Sequence, residues 1–264
     1  MSLFSLPLML NAQSVDEMLQ KVSAAIEARQ QGQAMSYFRQ TISLNIDRTE
    51  MYYWTNIDKS SEISVKLANE LAIAFRKKRN YDKAYLFYKE LLQKAPNNVA
   101  YLESCAEMQV CRGQEKDALR MYETILQLDA DNLAANIFLG NYYYLMAEQE
   151  KKKLETDYKK ISSPTKMQYA RYRDGLSKLF ATGYEKARNS LQKVVLRFPS
   201  TEAQKTLDKI VIIEKEVNRL AVHLFFYYKC YFIILIGSSC SPDSVRVVVL
   251  STLGPGTRGL CINT

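Results

Sequence analysis

Residues 65–98 read VKLANELAIAFRKKRNYDKAYLFYKELLQKAPNN, and residues 99–132 read VAYLESCAEMQVCRGQEKDALRMYETILQLDADN. Laid over one another at an offset of 34, the two stretches return like side chains to like places. Ala72 falls on Ala106, Ala84 on Ala118 and Tyr88 on Tyr122; Leu91 and Leu92 fall on Ile125 and Leu126, and Asn98 on Asn132. Self-similarity at such a period marks stacked supersecondary units that bury their apolar faces against one another.

Each unit reads as two helices. Leu67, Ala68, Leu71, Ala72 and Phe75 are spaced three and four apart, so they share one helix face. Arg76-Lys77-Lys78-Arg79 follows, where positive charge suits the C-terminal end of the macrodipole. Asn80 breaks the pattern, Asp82 opens a second amphipathic run through Ala84, Phe87, Tyr88, Leu91 and Leu92, and Pro96 stops it. Ala84 is small where two helices must cross, and Tyr88 supplies bulk one turn later.

These residues resemble the tetratricopeptide-repeat (TPR) family. The matching positions are Leu71, Ala72, Phe75, Ala84, Tyr88 and Pro96 in the first unit, and Leu102, Ala106, Gly113, Ala118, Tyr122 and Ile125 in the second. The second unit departs at Gln109, where an aromatic is usual, and at Ala130, where proline is usual. A third match is Gly183-Tyr184-Glu185-Lys186-Ala187 with Leu191, Val194 and Pro199. Ala187 lies 69 residues after Ala118, two periods plus one. The resemblance implies an all-α solenoid of helical hairpins, close over residues 65–199 and loose over 15–218.

Between the second and third matches, residues 133–161 read as one long helix projecting beyond the stack. It carries Leu139, Gly140 and Tyr143, then Lys151-Lys152-Lys153 and Asp157-Tyr158-Lys159-Lys160, and ends at Ser162-Ser163-Pro164. Residues 13–64 hold a degenerate repeat, with two helices over 15–45 broken near Gly32 and an ambiguous stretch over 46–60 containing Met51-Tyr52-Tyr53-Trp54. Residues 200–219 read as a capping helix with Ser200 or Thr201 as N-cap and Leu207, Ile210 and Val211 facing inward.

The ends differ from the middle. Residues 1–12 contain the apolar run Leu3 to Leu10, expected to be the back half of a secretory signal peptide cleaved after Ala12, with a periplasmic or otherwise exported destination. No Lys or Arg precedes that run, and an upstream start would account for this. Residues 220–236, LAVHLFFYYKCYFIILI, are apolar but short for a spanning helix and hold His223 and Lys229. Residues 220–264 as a whole read either as a weak membrane anchor with an irregular tail or as an out-of-frame extension.

The formal net charge is +8, with acids and bases interleaved along the chain. No basic block is flanked by base-stacking aromatics, so nucleic acid is not the expected partner. Five cysteines without a C-x-x-C, and one histidine, His223, give no disulfide framework and no metal site. No phosphate-binding loop, dinucleotide fingerprint or nucleophile elbow occurs, so no catalytic, cofactor or metal role is assigned to any residue.

What remains is surface. In the family the first helix of each hairpin lines a concave groove, and the resemblance places Lys66, Asn69, Ile73, Arg76 and Lys77 there. Glu103, Glu107 and Val110 follow from the second unit, Ile137, Asn141 and Tyr144 from the third, and Tyr169, Tyr172 and Leu176 from the last. Ile73 stands where the carboxylate-clamping members have an Asn, so that specialised role is not expected. The expectation is a non-enzymatic scaffold binding a peptide or helix of another protein. The alternative is a membrane-tethered periplasmic sensory or assembly subunit anchored by residues 220–236.

Overall fold

The computed structural model describes the backbone of residues 6–237 and the side chains of residues 15–219. The signal-peptide expectation for residues 1–12, the apolar run 220–236, His223 and the tail 238–264 therefore fall wholly or largely outside the described side chains. The chain divides into two units, residues 1–213 and 214–264. The packing described below is that of the first; of the second, residues 214–237 are helical.

The fold is all-α. Eleven α-helices follow one another among the described residues: α1 Leu6–Glu27, α2 Gln31–Leu44, α3 Ile46–Asn56, α4 Glu62–Lys77, α5 Tyr81–Lys94, α6 Val99–Cys111, α7 Glu115–Leu128, α8 Leu133–Lys159, α9 Lys166–Leu179, α10 Glu185–Arg197 and α11 Thr201–Gly237. A π-helical turn, Phe180–Tyr184, joins α9 to α10. The pairs α1/α2, α4/α5, α6/α7 and α8/α10 pack as hairpins, and α5 on α6 and α7 on α8 stack one hairpin on the next.

Three hairpin turns share one backbone solution. Arg29, Arg79 and Gly113 take positive φ (57°, 59° and 74°). The next N–H in each case reaches back five residues: Gln30 to the Ala25 carbonyl at 2.8 Å, Asn80 to Phe75 at 2.9 Å and Gln114 to Gln109 at 2.8 Å. This is the Schellman close of a helix, in which the left-handed residue is usually glycine. Only the third turn supplies one. Five residues after the left-handed residue comes a fully buried alanine in every case: Ala34, Ala84 and Ala118.

The α1/α2 hairpin is thus a repeat whose signature the sequence conceals, and its break lies at Ala28–Gln30, not at Gly32, which sits inside α2. Its left-handed residue precedes that of the next hairpin by 50 residues instead of 34. The surplus is α3 and the bend after it, the stretch left ambiguous by sequence. This helix laces the first hairpin to the second. Arg48 pairs with Asp16 of α1 at 3.0 Å, and Ser23 of α1 bonds Tyr52 at 2.6 Å. Lys83 of α5 reaches Asp47 and Glu50 at 3.0 and 2.6 Å. Tyr53, fully buried, packs edge-on to Phe87 and donates to Glu90 at 2.7 Å.

The last hairpin is lengthened. α8 runs 27 residues, past the α7 pair, and α9 folds back along it. Leu154 lies under Gly175, and Tyr158 stacks on Tyr172 at 4.4 Å between centroids. The return reaches the repeat register at Gly183, where an added Cβ would come within 2.9 Å of the Ala147 Cβ, and Tyr184 donates to Glu148 at 2.6 Å. The insertion therefore leaves and re-enters the repeat at one place. Ala187, Leu191 and Val194 then occupy the positions of Ala118, Tyr122 and Ile125, all buried.

The cap corrects one expectation. Ser200 accepts from the Ala203 N–H at 3.2 Å and so caps α11. Ala203, Leu207, Ile210 and Ile213 are the buried face, whereas Val211 is 41% exposed. The inward stripe follows four-three-three spacing, and Val211 falls about 100° off Ile210.

Gly140 marks the tightest crossing of α8 and α10: a Cβ there would stand 2.7 Å from Cγ and Cδ2 of Leu191, itself 1% exposed. Gly140→Val is expected to lower unfolding free energy by about 1–3 kcal/mol, the usual cost of overpacking. Denaturant titration of the purified chain checks this, and an unchanged midpoint would mean that the two helices can part freely.

Candidate functional site

Most of the sequence-derived binding candidates lie on α4, α6 and α8, and cross-helix bonds tie these three helices together. On α4, Lys66 is exposed and donates to Gln31 of α2 at 2.6 Å. Arg76 pairs with Glu107 of α6 at 2.9 Å. Asn132, the N-cap of α8, donates to Glu103 of α6 at 2.5 Å while its Oδ1 accepts from Ala135 N–H. α4, α6 and α8 are thereby tied side by side. Asn69, Lys77 and Asn141 form no side-chain hydrogen bond or ion pair among the described residues.

Charge is distributed unevenly over this surface. Arg76 and Glu107 neutralise each other, which removes Arg76 as a free attractor; an exposed pair of this kind adds only about 0–1 kcal/mol to stability. Lys66 and Lys77 remain as net positive charge on α4, and Glu103 as net negative charge on α6. α8 is apolar and aromatic here: Ile137 is 41% exposed, and Tyr144 is half-buried with its ring 6.1 Å from that of Tyr184. A shallow cavity of about 510 Å³ opens between α6 and α8, lined by Glu103, Asp129, Asn132, Leu133, Ala134, Ile137 and Arg197.

Tyr169 and Tyr172 lie elsewhere. Both belong to α9 and pack towards Tyr158 of α8, at 6.3 and 4.4 Å between centroids, so they line the lengthened hairpin and not the face of α4, α6 and α8. Leu176 is buried. The resemblance put them in the groove because α9 stands first in the last sequence match; in space α8 is the inner helix of that repeat and α9 an insertion. Leu145 and Met146, 58% and 40% exposed on α8, follow Tyr144 in sequence but lie about 100° and 200° round the helix from it.

Buried and half-buried phenols recur along the hairpins. Burial first, and hydrogen bonding to a carboxylate second, pushes Tyr53 (with Glu90), Tyr143 (with Glu123) and Tyr184 (with Glu148) well above the ordinary 10.0. Burial, with Glu107 and Glu103 adding to it, takes Tyr122 up to about 12. Burial likewise raises the Cys105 thiol to about 11, as befits a small core side chain. Among the described residues no group of His, Cys, Asp and Glu could hold a metal ion. Among those residues, too, no helix is long and apolar enough to cross a membrane.

Repeated hairpins with small residues at each crossing and a row of inner helices define the helical-hairpin solenoid fold of tetratricopeptide-repeat proteins, and this chain has it. It is 88% identical to a Bacteroides ovatus ATCC 8483 protein of known crystal structure, over 77% of this chain and 98% of that one, with a TM-score of 0.72. That protein's name provisionally assigns it to protein binding. A TPR protein from Bacteroides fragilis NCTC 9343 is more distant, at 13% identity over 75% of this chain and 98% of that chain, with a TM-score of 0.33. A tetratricopeptide repeat protein from Parabacteroides merdae ATCC 43184 stands at 16% over 82% and 80%, TM-score 0.35. No functional statement follows from either. No family model and no curated protein matches the chain.

The phenols give a pH dependence with a definite sign. Their folded pKa values are raised, so their contribution is intact below pH 10.0 and declines above it, where the unfolded chain sheds phenolic protons that the folded chain keeps. The thermal midpoint is expected to fall as pH rises past 10.0, and less steeply in Tyr184→Phe. An identical alkaline slope in the two proteins would show that Tyr184 does not contribute.

Proposed function

We propose that this chain is a non-enzymatic scaffold that holds an extended peptide or a helix of another protein against the face formed by α4, α6 and α8. The observation that carries the reading is the order of chemistries on three neighbouring helices: unpaired lysine on α4, carboxylate on α6, and an apolar-aromatic strip on α8. A ligand crossing the three helices meets each in turn. The provisional naming of the Bacteroides ovatus relative for protein binding supports the same reading.

The partner's chemistry follows from the face. An acidic side chain suits Lys66 and Lys77, and an apolar anchor suits Ile137 and Tyr144, since anchors carry most binding energy while charge steers approach. Arg76 is a poor participant, because a ligand carboxylate would have to displace Glu107.

Peptides selected from a random displayed library on the full chain test this. Their affinity is expected to drop at least tenfold in Ile137→Asp and in Lys77→Glu, each tenfold corresponding to about 1.4 kcal/mol. Arg76→Gln should have the smaller effect. Selected peptides that bind all three variants as they bind the parent would move the site off this face.

A further inference from the structure

The lengthened part of the last hairpin is a separate feature with its own chemistry. Residues 150–179 hold nine lysines and arginines against four carboxylates, a net +5 out of the chain's +8. They do not build the repeat core: among them Leu176 alone is buried. The insertion leaves the repeat beside Ala147 and re-enters beside Gly183, so the repeat closes behind it.

Some of the charge is neutralised within the arm, by Lys151 with Glu155, Lys160 with Asp157 and Arg173 with Asp174. Lys152, Lys153, Lys159 and Lys178 are exposed and form no ion pair among the described residues. Lys152 and Lys159 are seven positions apart on α8, about 10 Å at 1.5 Å per residue, and so lie on one side of it. Four unpaired ammonium groups on an arm with almost no core of its own attract an anionic segment, and its length suits an extended one.

We infer that this arm is a second docking surface, for an acidic segment of a partner protein. A single-stranded nucleic acid would need open aromatic rings for its bases, and Tyr158 and Tyr172 are stacked on each other. A duplex would bring unbroken phosphate charge past Glu150, Glu155 and Asp157, whereas a protein segment can set neutral residues opposite them. An anionic bilayer favours an apolar wedge beside the basic groups, and this end of the arm offers Met167 as its single exposed large apolar side chain among the described residues, after Ser162, Ser163, Pro164 and Thr165.

The probe is a fluorescein-labelled peptide of alternating glutamate and glycine, titrated with the full chain and read by anisotropy. Salt is held at about 100 mM, where the screening length is about 10 Å. The arm variant carries Lys152→Gln, Lys153→Gln, Lys159→Gln and Lys178→Gln. A charge-matched control carries Lys21→Gln, Lys78→Gln, Lys116→Gln and Lys205→Gln, all exposed and off the arm. Circular dichroism checks that both are folded. At least a tenfold loss is expected in the arm variant, and less than twofold in the control. Equal loss in both, or no binding by the parent chain, overturns the assignment. So does tighter arm-dependent binding of duplex DNA or of phosphatidylserine vesicles than of the peptide. Ile137→Asp should leave this binding unchanged, which separates the arm from the face of α4, α6 and α8.

Discussion

Close approach of two helices at a small side chain is the constraint on which the structure rests. Ala34, Ala84, Ala118 and Ala187 are all fully buried, and each is followed one turn later by a large buried residue: Phe38, Tyr88, Tyr122 or Leu191. Interiors pack near crystalline density, so bulk and its absence must alternate across a crossing. A methyl at one position lets the backbones meet, and a ring or branched chain four residues on fills the space that the crossing angle opens. The inner helices mirror this with Ala72, Ala106 and Gly140, and at Gly140 even a methyl has no room.

Once that crossing is fixed, the repeat tolerates insertions where its chain would otherwise turn. α3 enters between the first and second hairpins and is held by Tyr53, Arg48 and the Lys83 pairs. The extension of α8 with α9 enters within the last hairpin and is closed off by the Gly183–Ala147 approach and the Tyr184–Glu148 bond. The π-helical turn at Phe180–Tyr184 lies at the point of return.

Function on this scaffold is a matter of surface chemistry, since the fold itself hosts many roles. Inter-helix pairs such as Arg76–Glu107 and Arg39–Glu70 hold neighbours in register and at the same time remove charge from the face they cross. The charges left over are the ones able to recognise anything. They separate into a mixed face on α4, α6 and α8 and a basic arm beyond it.

The sequence by itself determined the helical hairpins, their period and the small residues at their crossings, because those depend on local spacing: Ala84 and Ala118 announce themselves 34 residues apart. It determined the long α8 for the same reason. Only the tertiary structure decided which charges are spent and which are free. Arg76 and Glu107 are 31 residues apart, and no local pattern reports that they meet at 2.9 Å. Only the tertiary structure, likewise, made α8 the inner helix of the last repeat and put Tyr169 and Tyr172 on an arm, because helix pairing across an insertion is chosen by long-range packing. The first hairpin stayed hidden because α3 sets its turn 50 residues before the next instead of 34, so no periodic alignment reports it. Its backbone nevertheless takes the same left-handed turn, since the alternative would leave the carbonyls at the end of α1 without their partners.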